Sequence, residues 1–398
     1  MSVEFGGIVV LRLVVGGYRV QEVRHRDGTI AFTIVGPDGR VHPEAERFLA
    51  RYAGAGTDRT YAFLLVDHLR WLECEGLVLG SVSFRDLQRY MGAVGAKVPM
   101  PLGSPWRVGK RPYGNSALSS AAACLKGFYL SLTDAGVNTG LRDRLDVQRL
   151  PSQRDRDRAL LGHLTTVLPG NPLAPAPMRR RHPKMLPDGA RALMVESAAS
   201  ARDRMVIDWL ADGGLRIGEL CGLHLVDLHL REGAACAQCR SPHLHVCHRP
   251  GLPNGARAKR KHPWSVQDGV LVGGLIRRVS PAMVHSYFAY ITGEYPRGAA
   301  HGVLLVQQHG PGAGLPWTPE GVRGMIARTG ERAGLGRIKP HAFRHSFATA
   351  VLDASGGNLV VTREAGGWAS TATVDAVYAH ADVHDPVFDR ALRTVWGE

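Results

Sequence analysis

Between residues 341 and 380 the chain reads HAFRHSFATAVLDASGGNLVVTREAGGWASTATVDAVYAH. His341 and Arg344 stand three apart, so on a helix they share a face. Pro340, just ahead of them, suits a first helical turn. Trp368 follows in a Gly-Gly-Trp turn, and Tyr378 comes ten residues later. A phenol grouped with a guanidinium, an imidazole and an indole N–H makes a poor core, because each of these groups seeks a polar or anionic partner. The same set suits a phosphodiester. Breaking one without water requires a nucleophile, neutralisation of charge at phosphorus, and a proton for the leaving 5′ oxygen. A tyrosine nucleophile stores the broken bond as a phosphotyrosyl ester, which lets the strand be rejoined. Two arginines on the two non-bridging oxygens would supply the electrostatic part. The second arginine is available far upstream, at Arg216 in GLRIGEL, residues 214–220.

This order, Arg…His-x-x-Arg…Trp…Tyr, resembles the active-site set of the tyrosine recombinases, the phage-integrase family. The resemblance covers about 183–398 and is most specific in PHAFRHSFAT followed by Gly-Trp and Tyr. It implies a role for each residue. Arg216 and Arg344 would clamp the phosphate. His341 would donate to it or handle the nucleophile's proton. Trp368, at a position most often histidine in the family, would position the phosphate through its indole N–H. Tyr378 would be the nucleophile. Glu219 would brace the segment of Arg216, and His345, read as pointing to another helix face, would play a supporting part. The family also places a general-acid lysine on a β-hairpin between the arginine boxes. Lys259 and Lys261 are the lysines between 184 and 339. The family spacing selects Lys259, with Lys261 as the alternative or as a phosphate contact.

The resemblance further implies a site-specific recombinase, an integrase of a mobile element, acting as a tetramer on two DNA duplexes. Strand exchange would pass through a Holliday junction, and no metal or nucleotide cofactor enters the chemistry. Accessory DNA-bending or directionality factors are partners to expect. The segment Asp385–Trp396, read as a short final helix, would dock on a neighbouring subunit. Related chemistry would serve a type IB topoisomerase, and the same surface without reaction would serve a DNA-binding regulator.

The bulk numbers agree with a polyanion partner. There are 49 Lys and Arg against 35 Asp and Glu, a formal excess of +14. At 398 residues, 44% hydrophobic, the chain is long enough for two or three domains with real cores. No apolar run reaches the length of a membrane span, and Arg12 interrupts the apolar start, so a cytoplasmic, nucleoid-associated bacterial protein is expected. The expected fold is mainly α and multidomain. Residues 1–42 read as a β-rich arm, with Asp27-Gly28 as a hairpin turn. Residues 43–140 read as a helical, SAM-like core DNA-binding domain. Within it Arg107, Lys110 and Arg111 form a basic loop suited to phosphate. Residues 141–187 read as a Pro-rich linker carrying Arg179, Arg180 and Arg181. Residues 188–398 read as a mostly α catalytic domain with a small sheet from 225–230, 243–249 and 263–270, the integrase or DNA breaking-rejoining fold.

One stretch stands apart: CAQCRSPHLHVCH, residues 236–248. Cys236 and Cys239, with His243, His245, Cys247 and His248 close behind, could ligate zinc, and Cys236, Cys239, His245 and Cys247 are the set to consider first. A strand through HLHVCH would send alternate side chains to opposite faces. The stretch is therefore read as an insertion before a strand, without metal.

Overall fold

The computed structural model describes residues 17–26, 30–54, 56–96, 105–107, 109–151, 155, 166–176, 184–299, 301–378, 393 and 395, with the backbone alone at 4–5, 8–10, 105 and 376. The chain divides into two compact units, Met1–Arg180 and Arg181–Glu398.

In the first unit β1 (Glu4–Phe5), β2 (Ile8–Val10), β3 (Arg19–Arg24) and β4 (Ile30–Val35) form an antiparallel sheet in sequence order. Four main helices follow: α1 (Pro43–Leu49), α2 (Thr57–Glu75), α3 (Phe84–Gly95) and α4 (Asn115–Asp134). Local chemistry sets their ends. Pro43 occupies the first turn of α1, Gly76 closes α2 in a left-handed conformation, and Ser83 and Asp86 form a reciprocal cap on α3. The short helix α5 (Arg142–Leu145) and the strand pair β5 (Gln148–Arg149) and β6 (Leu168–Pro169) complete the unit.

The sheet lacks a core of its own. Ile34 is buried with Phe48, Leu65 and Phe128 of the helices, and the Arg70 Nε donates to the Tyr18 carbonyl at 2.9 Å. Leu141, Leu145 and Leu173, from the stretch read as linker, are buried in the same core. The arm and the first part of the linker therefore belong to one body with the helices, because their apolar side chains have nowhere else to go.

The second unit begins with α6 (Ala190–Glu196), α7 (Ala201–Gly213) and α8 (Ile217–Leu220). Strands β7 (Leu228–His229), β8 (His243–Val246), β9 (Trp264–Gln267), β10 (Val270–Gly273) and β11 (Leu275–Arg278) follow. Then come α9 (Pro281–Gly293), α10 (Pro319–Arg332), α11 (Pro340–Ala354), α12 (Leu359–Gly366) and α13 (Thr371–Tyr378). The core gathers Trp209, Leu210, Met283, Leu304, Ile326 and Phe343.

The sheet departs from the sequence reading. A 3₁₀ turn occupies Leu225–Asp227, leaving only two strand residues in β7. The stretch read as one strand over 263–270 is one arm of a hairpin, β9 with β10, turning at Asp268-Gly269. Both turn residues have positive φ, 49° and 78°, as a two-residue hairpin turn requires. The third strand of the β11-β8-β7 sheet is β11. The expected helix Asp385–Trp396 lies outside the described residues, apart from Arg393 and Val395.

Candidate active site

Tyr378 ends α13, and its hydroxyl lies 2.8 Å from Nδ1 of His345 on α11. His345 therefore faces the tyrosine, contrary to the expectation that it points away. Positions 341 and 345 are one helical turn apart, so they share a face as surely as 341 and 344 do. Their rings lie 4.7 Å apart, centroid to centroid. The Trp368 ring packs edge-on against Tyr378 at 5.6 Å, and the Arg344 guanidinium stacks on the Trp368 ring at 4.0 Å.

Arg344 is 1% exposed. It donates to the Gly214 carbonyl at 2.5 Å and to the Gly366 carbonyl at 2.7 Å. Two glycines make this seat. Gly214 has φ +54°, and a Cβ there would lie 2.2 Å from the Phe347 ring. At Gly366 a Cβ would fall inside the Trp368 ring, 1.3 Å from its nearest atom. Arg216 caps α8 at the other side. Its backbone N–H and its guanidinium both reach the Glu219 carboxylate, at 2.9 and 2.6 Å, and Glu219 is buried. The Arg216 side chain remains 21% exposed, so it is the arginine a solvent-borne anion meets first.

Sequence reasoning missed Arg277. It sits in β11, 2% exposed, and donates to the carbonyls of Ala365 and Gly366. Gly366 thus accepts from two guanidinium groups. Arg260, inside the KRK run, donates to the Trp368 carbonyl at 2.9 Å. The strand reads LIRR, two apolar residues and then two arginines, with no alternation to mark Arg277 as the buried one, and a buried charge survives only if paired or hydrogen-bonded.

Burial pushes Arg344 down to about 9 and Arg277 down to about 10, and the nearby Arg216 charge pushes both in the same direction. Glu219 opposes the shift in each case. Burial, reinforced by His345, Arg344, Arg216 and Lys259, pushes His341 down to about 4. His345 is lowered by burial and by Arg344. Both imidazoles are therefore neutral near pH 7. Tyr378 is raised by burial, with Arg344 and Arg216 pulling it back. Positive charge thus outweighs the Glu219 carboxylate in a partly dry site, a standing demand for an anion.

Lys259 is exposed, and its charge is felt at His341. Lys261 is also exposed and bears on none of these groups. In the first unit Arg107 is not a free phosphate contact. It is 8% exposed, donates to Asp67 at 2.9 Å and stacks on Tyr113 at 4.4 Å. Asp67 also takes Lys110 at 2.5 Å and the Tyr113 hydroxyl at 2.8 Å. Lys110 and Arg111 remain exposed, on a pocket lined also by Arg59. Arg179, Arg180 and Arg181 lie outside the described residues.

Among the described residues no helix is long and apolar enough to cross a membrane. The sequence profile of the phage integrase family matches residues 275–384. The chain is 27% identical over 236 residues to the tyrosine recombinase XerC of Pseudomonas syringae pv. tomato, an alignment covering 56% of this chain and 67% of that protein. It is 26% identical over 276 residues to the tyrosine recombinase XerD of Corynebacterium glutamicum, covering 64% and 78%. The fold is similar to that of the XerH site-specific recombinase bound to a palindromic difH substrate, with TM-score 0.53, 17% identity, and 88% and 82% of the two chains covered. It is similar also to the Tn1549 transposon integrase in complex with transposon right end DNA, with TM-score 0.51, 18% identity, and 88% and 99% covered. The mainly helical build with small antiparallel sheets is the integrase fold, and over residues 275–384 the chain is similar to the phage integrase family.

Proposed function

We propose that this chain is the integrase of a mobile element and that Tyr378 is its nucleophile. The observation that carries the assignment is the Tyr378 hydroxyl held on His345 inside a cluster of arginines with too little negative charge to balance it. The Tyr378 oxygen attacks the scissile phosphorus, and its proton passes to Nδ1 of His345, which is neutral and within reach. The bond from phosphorus to the 5′ oxygen breaks, and Lys259 supplies the proton that oxygen takes. Arg216 meets the phosphate directly. Arg344 has five N–H donors, of which two are engaged by carbonyls, and the remainder serve the same phosphate. Neutral His341 and the Trp368 ring fix the pocket around it. Rejoining runs the steps backward, with His345 returning its proton to the tyrosine.

Double-stranded DNA is the partner, a reading supported by the complexes of XerH and of the Tn1549 integrase with DNA. The working form is a tetramer on paired sites, in the cytoplasm and on the nucleoid, aided by accessory factors. The test is trapping on nicked suicide duplexes from the flanks of the encoding element, with wild type and Tyr378→Phe. A covalent band with wild type alone supports the nucleophile. A band that persists in the variant moves it elsewhere. Strand exchange between two such flanks supports the integrase reading, and supercoil relaxation by a monomer without exchange favours a topoisomerase.

A further inference from the structure

The chemistry-bearing residues left over from the active site gather at one place, on the β11-β8-β7 sheet. The register of β7 and β8 sets His229 opposite His243, and their rings lie parallel, 5.0 Å apart with an interplanar angle of 4°. His245, two residues on along β8, projects from the same face as His243, because strand side chains repeat every second residue. Its ring lies 4.7 Å from that of His229 and 5.0 Å from that of His243. Cys236 enters from the loop between β7 and β8, with its sulfur 3.2 Å from Nε2 of His243. One donor atom from each of the four residues lies within 4.8 Å of all the others.

The orientation of the rings points to a ligand. Nδ1 of His243 faces the Ser241 carbonyl at 2.7 Å, and Nδ1 of His245 faces the Gly273 carbonyl at 2.5 Å. A carbonyl only accepts, so each Nδ1 carries the hydrogen and each Nε2 presents a bare lone pair. Nε2 of His245, a residue with no exposed surface, has no hydrogen-bond partner, and neither has the buried Nε2 of His229. Buried ring nitrogens without a partner are costly to leave so, and a cation in their midst relieves them together.

We propose that His229, Cys236, His243 and His245 form a structural site for a divalent transition metal of the zinc class. Three imidazole nitrogens and one thiolate are a tetrahedral set of intermediate softness, closed by four protein ligands with no position left for water. Tetrahedral zinc, with bonds of about 2.0–2.1 Å to nitrogen and 2.3 Å to sulfur, places its ligand atoms roughly 3.3–3.6 Å apart. Closing on the ion takes a contraction on the order of an ångström from the separations present. This ligand set replaces the one the sequence offered. Cys239 is outside the group, and Cys247 lies past the end of β8. Strand alternation, which argued against metal, in fact aligns His243 with His245. His229 was hidden because only the strand pairing brings it near.

The site has a mechanical role. His245 also holds the Gly273 carbonyl, and Gln238 of the Cys236 loop accepts from the Gly273 N–H at 2.8 Å. Just beyond β8, the His248 ring is 2.8 Å from the carbonyl of Ala258, the residue before Lys259. The metal thus fixes the base of the β9–β10 hairpin and the strand leading to the lysine turn.

The experiment uses the full-length protein, produced with added zinc and purified without chelator. Elemental analysis is expected to find one zinc per chain in wild type and in Cys239→Ser, and at least a tenfold reduction in Cys236→Ser and His243→Ala. Exchange into cobalt(II) is expected to give the visible bands of a tetrahedral ion and a thiolate-to-cobalt charge-transfer band. Wild type that holds neither zinc nor cobalt overturns the proposal. So does loss of metal in Cys239→Ser equal to that in Cys236→Ser. Should Cys236→Ser fail to fold, the wild-type cobalt spectrum decides: an octahedral spectrum without the thiolate band overturns the site.

Discussion

Single side chains set the chemistry. His345 is the residue whose part changed most between sequence and structure, from support behind the site to direct contact with the Tyr378 hydroxyl. If it takes the proton, His345→Ala should slow cleavage about 10²–10⁴-fold with DNA affinity unchanged, measured as the rate of covalent adduct formation. The wild-type rate should fall as pH drops through the lowered value of His345, since only the neutral ring accepts. His341 gives a second, separate pH effect. Its value is held at about 4 against an ordinary 6.5, so the folded state binds fewer protons than the unfolded chain between those limits. The stability this provides is complete above pH 6.5 and is lost as pH falls through about 4. His341→Gln should therefore lose less stability than wild type over that window, as read by thermal unfolding of the DNA-free protein. The identities of Arg216, His341, Arg344, Trp368 and Tyr378 were legible because their types and spacing are improbable for a core. Arg277 was not, because nothing in LIRR says that two carbonyls at the end of α12 wait for it.

Elements decide which basic residues remain free. Arg107 reads in sequence like its neighbours Lys110 and Arg111, yet a 3₁₀ turn at Pro105–Arg107 aims it into Asp67. Removing it takes one of three partners from the buried Asp67 carboxylate, which keeps Lys110 and the Tyr113 hydroxyl. Arg107→Ala should destabilise the first unit by roughly 1–3 kcal/mol, measured by denaturant unfolding. Arg111→Ala should leave unfolding unchanged and lower the salt dependence of DNA binding by about one phosphate contact. The long helices were legible from apolar periodicity and end signals. The sheet of the second unit was not, because its strands run to four residues at most, too short for a period to show. The Asp268-Gly269 turn was the signal that could have recovered the hairpin.

At the scale of the whole molecule, the division after Arg180 gives each unit its own core. Every candidate catalytic residue lies in the second. A chain of residues 181–398 should unfold cooperatively by itself and still form the Tyr378 adduct on suicide DNA, with weaker affinity than the full protein. Failure of that fragment to unfold in one transition would show that the second unit depends on the first. The excess of +14 foretold a polyanion partner but not its location. Boundaries were harder to read than contents, since a Pro-rich stretch can bury a leucine such as Leu173 as readily as it can span a gap.

The contact between Trp368 and Gly366 ties two positions together over evolutionary time. The indole lies where a Cβ at 366 would stand, so glycine is obligatory there only while residue 368 is tryptophan. Gly366 is helical, with no need for a left-handed backbone, and space is its one constraint. A lineage in which 368 drifts to the smaller histidine opens that space, and alanine at 366 becomes acceptable. The two sites should therefore covary across related sequences, with substitutions at 366 following, and never preceding, loss of the indole.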